Sequence, residues 1–362
     1  MNKSVVLAAL TGLAATQAAA QDNVLNVYNW SDYIAEDTVA KFEAATGIKV
    51  VYDVYDSNET LEAKLLAGSA GYDIVVPTSQ FLQRQVAAGV YQPLDKALLP
   101  NLANMDAGLM EAAAAYDADN AHSVVYMWGT TGIGYNVGAV AERLGEDAPV
   151  DSWSLIFDPA NAEKLADCGI TTLDSASDML PSALAYLGLD PTSSEPADLE
   201  KAAALMTSIR PFIRYFHSSQ YISDLANGEI CVAVGYSGDV FIAADRAVEA
   251  NTGVEIAYSV PKEGALQWFD LMAIPADAPH PEAAHAFINF IMDPQITADI
   301  TNYVWYANAN AASMPLVDTE ISGDPAIFPP AEVTAKLFPS VVHDARTSRL
   351  MTRLWTTIRT GQ

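Results

Sequence analysis

The sequence predicts a two-lobed α/β protein, and three observations lead to this fold class. Short β-rich runs alternate with helical segments along the whole chain, which predicts largely parallel sheets covered by helices on both sides. The chain has 362 residues, more than one hydrophobic core usually holds. No low-complexity tract, fixed repeat or flexible linker divides it, so the chain must pass between two lobes through ordered segments.

Eight runs rich in β-branched and aromatic residues predict the strands. They are residues 25–30, 49–55, 72–77, 123–128, 170–173, 229–234, 255–260 and 269–274.

Helices are predicted between these strands from apolar spacing and from capping residues. Asp37 is placed to cap a helix that ends at Gly47, and a second helix runs from the capping pattern at Asp56 to Gly68. Further helices are expected at residues 80–89, 198–210, 240–250 and 282–292.

The order of these elements predicts where the chain passes between the lobes. We place one crossing near residues 128–136 and another near 258–264. Lobe 1 then comprises residues 21–130 with 259–300, and lobe 2 comprises residues 131–258 with 301–362.

Residues 1–20 resemble a cleavable secretory signal. Lys3 precedes a short apolar stretch, and three alanines ending at Ala20 stand before the polar Gln21. The apolar stretch is too short to span a membrane, so we expect an exported, soluble product. A lipid anchor would need a cysteine just after the signal, and the two cysteines of the chain are Cys168 and Cys231.

An exported chain with two cysteines favours a disulfide between them, because oxidation is the default outside the cytoplasm. Two reduced, buried thiols are the alternative. The charge balance excludes another class of function. With 45 acidic against 18 basic residues, the chain lacks the basic face that a nucleic acid needs.

Four catalytic or cofactor patterns fail on inspection, and we interpret their residues as turns or helix surface. His280 and His285 are five residues apart and cannot share the face that a zinc-protease helix provides. Residues 235–238 lack the spacing of a nucleophile elbow, 132–134 lack the third glycine of a dinucleotide loop, and 117–120 break off from a calcium loop. The sequence therefore predicts no enzyme, no cofactor and no metal site.

A binding pattern emerges at the strand ends, where open α/β folds bind their ligands. The residues there combine aromatic rings with carboxylates and include neither Lys nor Arg. Past the predicted strands they are residues 30–33, 78–79, 174–178 and 236–239, to which we add 268–270 at a strand start and 305–306 after a helical segment. Aromatic faces and carboxylates together suit an organic cation. Taken singly, such aromatics are more often core residues, and an Asp such as Asp32 is more often a helix cap.

Several of these same segments resemble the periplasmic polyamine-binding proteins of ATP-driven importers, and within that family the putrescine-binding members. The resemblance runs over essentially the whole chain after the signal. It is carried by residues 27–34 (VYNWSDYI), 46–50 (TGIKV), 72–77 (YDIVVP), 129–136 (GTTGIGYN), 216–219 (FHSS), 224–228 (DLANG), 261–264 (PKEG) and 306–310 (YANAN).

The resemblance implies a two-lobe clamp that closes on one polyamine without catalysis, and a monomer that meets an inner-membrane ABC permease transiently. Matching positions imply an aromatic box of Trp30, Tyr236, Trp268 and Tyr306, with Tyr33 beside it. They imply polar contacts from Ser31, Asp32, Thr78, Asp178, Ser218, Asp239 and Asp270. The family's disulfide falls on Cys168 and Cys231.

Several positions depart from the family's common pattern, among them Asp178, Tyr236, which replaces a frequent Trp, and Thr78, which replaces a Ser; Trp268 and Ser175 bear on which polyamine is preferred. Asp178 stands where a Glu is usual, and Trp268 occupies a position that is Trp in spermidine binders. Ser175 replaces an Asp of the spermidine binders, so a third ammonium would lack a partner unless another group supplies one. We expect putrescine to be preferred, with spermidine possible. A secreted amine-processing enzyme and a binder of amino acids or sugars are the alternatives.

Overall fold

The computed structural model describes residues 23–361, so the predicted signal at residues 1–20 lies outside the described residues. The strands of the described chain are β1 (Val24–Trp30), β2 (Lys49–Tyr55), β3 (Ile74–Val75), β4 (Ser123–Asn136), β5 (Ile170–Thr172), β6 (Ile213–Phe216), β7 (Val232–Tyr236), β8 (Ile256–Ser259), β9 (Leu266–Ala273), β10 (Ala307–Asn308) and β11 (Phe338–Pro339).

The α-helices of the same range lie between and after these strands. They are α1 (Thr38–Thr46), α2 (Asn58–Leu66), α3 (Ser79–Ala87), α4 (Ala107–Ala113), α5 (Val137–Leu144), α6 (Ser154–Phe157), α7 (Pro159–Leu165), α8 (Ala176–Tyr186), α9 (Pro196–Ile209), α10 (Gln220–Ala226), α11 (Ser237–Glu249), α12 (Pro281–Ile291), α13 (Pro294–Val304), α14 (Thr319–Ser322), α15 (Ala331–Thr334) and α16 (Ala345–Thr360).

The strands form one mixed sheet in the order β2-β1-β3-β9-β4-β7-β5-β6, with β8 and β10 paired to β4 and β11 paired to β9. The expected parallel pairing occurs in its two wings, where β1 pairs with β2 and β3, and β5 pairs with β6 and β7. In the centre, β4 runs antiparallel to both β9 and β7. The prediction of largely parallel sheets is therefore wrong for the centre, because the long strand β4 and strand β9 run in opposite directions there.

Strand β4 is longer than predicted and passes through the region where the sequence placed the first crossing. Its residues 123–131 pair with β9, and residues 131–135 pair with β7. The interpretation of residues 132–134 as a turn is wrong. Glycine at these positions allows close approach across the sheet: a Cβ on Gly132 would lie 2.4 Å from the Tyr258 hydroxyl, and one on Gly134 would lie 2.6 Å from Val240.

Three hydrophobic clusters divide the core. One packs the wing of β5, β6 and β7 against helices α6–α11 and includes Trp153, Tyr221 and, from α16, Trp355. The other two cover opposite faces of the wing of β1, β2 and β3 and of the neighbouring strand β9. One of them lies around Phe42 and the other around Leu61. The last part of the chain contributes to both wings. Residues 300–338 pack with the wing of β1, β2 and β3, and residues 350–358 pack with the wing of β5, β6 and β7.

Cys168 and Cys231 are joined in a disulfide with a Cα–Cα distance of 5.5 Å, as the sequence favoured. The bond links the turn before β5 to the residue before β7, so it fastens neighbouring strands of one wing. Within residues 23–361, no helix combines the length and the apolar character that crossing a bilayer requires.

Candidate ligand-binding site

A cleft of about 920 Å3, counting its open mouth, lies between the two wings of the sheet. All twelve residues singled out from the sequence line it. They are Trp30, Ser31, Asp32, Tyr33, Thr78, Asp178, Ser218, Tyr236, Asp239, Trp268, Asp270 and Tyr306. The strand-end argument and the family resemblance together named these residues, which share one cavity although they are spread over more than 270 positions of the chain. Ser218 was named by the resemblance alone.

Asp270 lies at the base of the cleft and is only 5% exposed. It accepts hydrogen bonds from the Tyr33 hydroxyl (2.9 Å) and the Thr78 hydroxyl (2.7 Å). Burial raises the pKa of its carboxyl to about 7; the two hydrogen bonds oppose this shift, and the charges of Asp239 and Asp178 add to it. The carboxylate is therefore held in place, and within residues 23–361 it forms no ion pair.

The position of Asp270 within its strand differs from the prediction. The sequence placed Trp268 and Asp270 at a strand start, whereas both lie inside β9, which begins at Leu266. Two residues apart on one strand, they face the same side. Their common direction into the cleft follows from the pleat of the strand and not from a loop.

Asp239 lies in the first turn of α11 and lines the cleft together with Asp270, close enough for its charge to raise the pKa of Asp270. It accepts hydrogen bonds from the hydroxyls of Tyr306 (2.6 Å) and Tyr221 (2.7 Å). Burial raises the pKa of this carboxyl to about 6, against the effect of the two hydrogen bonds. Gly238 makes room for the arrangement, because a Cβ there would lie 2.3 Å from the Tyr306 ring.

Asp178 marks a second, separate end of the cleft. It lies in the first turn of α8, is 7% exposed, and accepts hydrogen bonds from the Thr131 and Ser175 hydroxyls, the former at 2.8 Å. Burial raises the pKa of this carboxyl as well.

Aromatic rings line the space between the acidic groups. Trp268 meets Tyr236 and Tyr306 edge-on, each at a centroid distance of 5.6 Å, and Tyr306 meets Tyr33 at 5.0 Å. Trp30 ends β1 and is fixed by a hydrogen bond from its indole nitrogen to the Val76 carbonyl oxygen (2.8 Å). These contacts set the ring orientations before any ligand enters.

Asp32 behaves differently from the buried acids. It is exposed at the mouth in a left-handed conformation (φ 53°) and forms a 3.0 Å ion pair with Arg246 of α11. It does not cap helix α1, whose N-cap is Asp37. Ser31 also lies at the mouth, and its side chain donates to the Tyr55 carbonyl oxygen.

Sequence reasoning missed part of the lining. Residues 56–59 follow β2, and Gln80 and Phe81 follow Thr78; all of them line the cleft. Residues 56–59 directly follow the predicted strand at 49–55, so listing the residues after that strand would have included them. Gln80 and Phe81 would have been included by extending the predicted segment 78–79 by two residues. Ser175 lies in the predicted segment 174–178, but its hydrogen bond to Asp178 was not foreseen from the sequence.

The charge of the lining is one-sided. Among the described residues, the cleft is lined by seven acids and by neither Lys nor Arg; the acids are Asp32, Asp56, Glu59, Asp174, Asp178, Asp239 and Asp270. Three of these acids are buried or partly buried without a cationic partner in the described chain: Asp178, Asp239 and Asp270. Such a cavity favours a cation, and the rings between the acids favour one with an apolar stem.

The comparisons with known proteins agree with this geometry. The family model described as "Bacterial extracellular solute-binding protein" matches residues 37–329. The putrescine-binding periplasmic protein SpuD of Pseudomonas aeruginosa (strain UCBPP-PA14) is 54% identical, over 99% of this chain and 98% of the relative. The putrescine-binding periplasmic protein PotF of Escherichia coli K12 is 52% identical, over 99% and 97%.

A solved structure supports the same fold. A putative spermidine/putrescine ABC transporter from Listeria monocytogenes superposes with a TM-score of 0.83 at 31% sequence identity, covering 94% of this chain and 100% of that one.

Proposed function

Because the chain belongs to the family of bacterial extracellular solute-binding proteins, we propose that it captures a polyamine in the periplasm, putrescine in preference to spermidine, for an ABC importer. The relatives named above are binding proteins of transport systems and not enzymes. The observation that carries the proposal is the pair Asp239 and Asp270, which face the cleft between tyrosine hydroxyls and form no ion pair within residues 23–361. Burial raises the pKa of both carboxyls, and an ammonium group between them would supply a counter-charge.

In the proposed complex, one ammonium lies between Asp270 and Asp239. The alkyl chain crosses the rings of Trp30, Tyr236, Trp268 and Tyr306, and Tyr33 and Thr78 hold Asp270 in place. Asp178 attracts the second ammonium, and its side chain is one methylene shorter than a Glu, so we include a bridging water there. Ser31, Ser218 and Asp32 complete the mouth.

We further propose that the two wings of the sheet are the lobes of a clamp. The hydrophobic clusters support lobes of residues 23–130 with 266–340, and of 131–259 with 345–361. This division assigns residues 301–340 to lobe 1, whereas the sequence analysis placed them in lobe 2. The lobes then close over the cleft by bending β4 and the segment between β8 and β9, and the closed monomer docks transiently on the inner-membrane permease.

A ligand screen by thermal unfolding tests the proposal against its alternatives. A ligand present at about 100 times its dissociation constant adds about 2.7 kcal/mol to the free energy of unfolding. We expect putrescine, and less strongly spermidine, to raise Tm, while amino acids and sugars do not. Amino acids carry a carboxylate that the arginine-free lining repels. A rise in Tm with an amino acid or a sugar, and none with any polyamine, would refute the proposed function.

A further inference from the structure

Helix α16 differs from the rest of the chain in its charge. The whole sequence has 45 acidic and 18 basic residues, yet the 16 residues of α16 include four arginines and neither Asp nor Glu. The four are Arg346, Arg349, Arg353 and Arg359. The acidic balance of the composition therefore does not extend to this helix, the last one of the described chain.

The inner face of α16 is fixed against the wing of β5, β6 and β7. Leu350, Met351 and Trp355 are buried on this face, which packs on α8 and α9. The helix start is capped by Asp344, whose carboxylate accepts a hydrogen bond from the backbone N–H of Thr347 (2.7 Å). The outer face is therefore presented to solvent by a helix that is held at its start and along its length.

Three of the arginines form a stripe along the outer face of α16. Arg346, Arg349 and Arg353 are three and four residues apart, so they share one side of the helix over about 10 Å. All three are exposed, and none of them forms an ion pair within residues 23–361. No large apolar side chain of α16 is exposed. The outer face therefore offers positive charge and hydrogen-bond donors without an apolar centre.

This chemistry favours a phosphate-bearing surface over a protein partner. Guanidinium groups bind phosphate oxygens through paired, charge-assisted hydrogen bonds. Protein interfaces are usually centred on buried aromatic and apolar side chains, which the outer face of α16 does not present. The net charge of −27 repels the chain from an anionic membrane, but salt screens charges that lie more than about 10 Å away. A flat anionic surface therefore meets this chain best with the arginine stripe facing it.

The C-terminal end of α16 reaches the rim of the cleft. Asp174, which lines the cleft, accepts a hydrogen bond from the Trp355 indole N–H (3.0 Å) and forms a 3.0 Å ion pair with Arg359. Arg353 precedes Arg359 by six residues, which is about 9 Å along the helix. Contact through the stripe therefore keeps the rim of the cleft close to the surface that the stripe touches.

We propose that the stripe of Arg346, Arg349 and Arg353 is a docking surface for the anionic phospholipid headgroups of a membrane. The inference rests on the proposed function, since a protein that delivers its ligand to an inner-membrane permease works beside such a surface. The contact is weak and reversible, because each arginine near an anionic bilayer contributes only about fivefold to the partition coefficient. It turns the rim of the cleft toward the membrane.

Flotation of the protein with lipid vesicles tests this docking surface. Vesicles of phosphatidylethanolamine with phosphatidylglycerol provide the anionic surface, and vesicles of phosphatidylethanolamine with phosphatidylcholine provide the neutral one. We expect the protein to float with the anionic vesicles at low salt and to be released as the salt concentration rises. Arg346→Gln, Arg349→Gln and Arg353→Gln combined should lower the partition coefficient by at least about tenfold.

The matched control removes the same number of charges elsewhere. Lys49, Lys96 and Lys164 are exposed and lie outside α16, and their combined change to Gln should alter the partition coefficient less than about twofold. Both triple variants should bind putrescine as the unmodified protein does by calorimetry, because neither set of residues lines the cleft.

Three outcomes overturn the proposal: no association with the anionic vesicles, equal association with both kinds of vesicle, or equal losses in the two triple variants. In the first case the arginine stripe is left to an acidic protein partner. Absence of putrescine binding by the unmodified protein instead overturns the proposed function, and the vesicle result stands apart from it.

Discussion

The two ends of the cleft hold their carboxylates in different surroundings. At one end are Asp270 and Asp239, and three of the four side chains that donate hydrogen bonds to them are buried tyrosines. At the other end, Asp178 accepts hydrogen bonds from the small hydroxyls of Thr131 and Ser175, although it is almost as buried as Asp270.

This difference in surroundings suggests that the two ends contribute differently to affinity and to selectivity. Rigid aromatic donors hold the two carboxylates of the first end in place, and a desolvated charge pair of this kind contributes most to affinity. The small hydroxyls around Asp178 leave room for the bridging water of our proposal, so we expect this end to accept ligands of different length. We therefore expect affinity to depend on the first end and selectivity on the second.

The largest expected effect is that of pH on putrescine affinity. The pKa values of about 7 for Asp270 and about 6 for Asp239 lie above the ordinary value, so both groups gain protons as the pH falls from 8 to 5. The ligand amines, with pKa near 10, stay charged throughout. Because binding then requires the protons to leave, affinity should fall roughly a hundredfold to a thousandfold.

Titrations in two buffers of different ionisation enthalpy measure this effect. At pH 6 the heats should reveal net proton release on binding, because the raised pKa values of Asp270 and Asp239 return toward normal beside an ammonium. The neighbouring charges of Asp178, Asp32 and Arg246 also influence how the putrescine affinity depends on pH. An affinity that is flat between pH 8 and 5 contradicts the assignment of this carboxylate pair.

The next largest effect is expected from Asp270→Asn at pH 8. A hydrogen bond to a charged group contributes about 1.5 to 3 kcal/mol, so putrescine affinity should fall about tenfold to a hundredfold. The empty variant should nevertheless be more stable, by about 1 to 3 kcal/mol, since a carboxyl with a raised pKa destabilises the fold above that pKa. Asp53→Asn, at an exposed site on β2, is the control. Unchanged affinity by calorimetry removes Asp270 from the site.

Asp178→Asn should cost less. Its carboxylate reaches the second ammonium through water in our proposal, so we expect a loss of about threefold to tenfold in putrescine affinity. A loss equal to that of Asp270→Asn would show that the two ends contribute equally, which contradicts the comparison.

The smallest effects concern the choice between ligands. We expect the unmodified protein to bind putrescine more tightly than spermidine, Ser175→Asp to narrow or reverse this preference, and Trp268→Phe to sharpen it. Trp268→Phe removes only part of a cation–π contribution of about 0.5 to 2 kcal/mol, because Phe also offers an aromatic face, so we expect a change of about twofold to fivefold. Tighter binding of spermidine than of putrescine by the unmodified protein would contradict the expectation that a third ammonium is disfavoured because Ser175 replaces an Asp.

Much of the cleft could be predicted because strand ends bring distant segments together. The run at residues 49–55 matches β2, and the helices expected at 198–210 and 240–250 correspond to α9 and α11. Each is marked by local sequence: β-branched alternation in one case, and apolar spacing with a capping residue in the other.

The failures occur where tertiary contacts override local sequence. Glycines at 132 and 134 suggested a turn, yet they belong to β4, where larger side chains would collide with Tyr258 and Val240. The strand predicted at 229–234 is shifted to Val232–Tyr236, since its register is set by pairing with β4 and β5. The packing of α16 on the distant helices α8 and α9 has no local signal.

The most direct test of the central claim compares putrescine with butylamine, its analogue that lacks one amine, by calorimetry at pH 8. The account predicts one putrescine bound per chain, with the affinity for butylamine lower by at least about tenfold, because the missing ammonium leaves one acidic end of the cleft without a partner. Equal affinities for the two amines, or no heat with putrescine, would contradict a site built to recognise two ammonium groups.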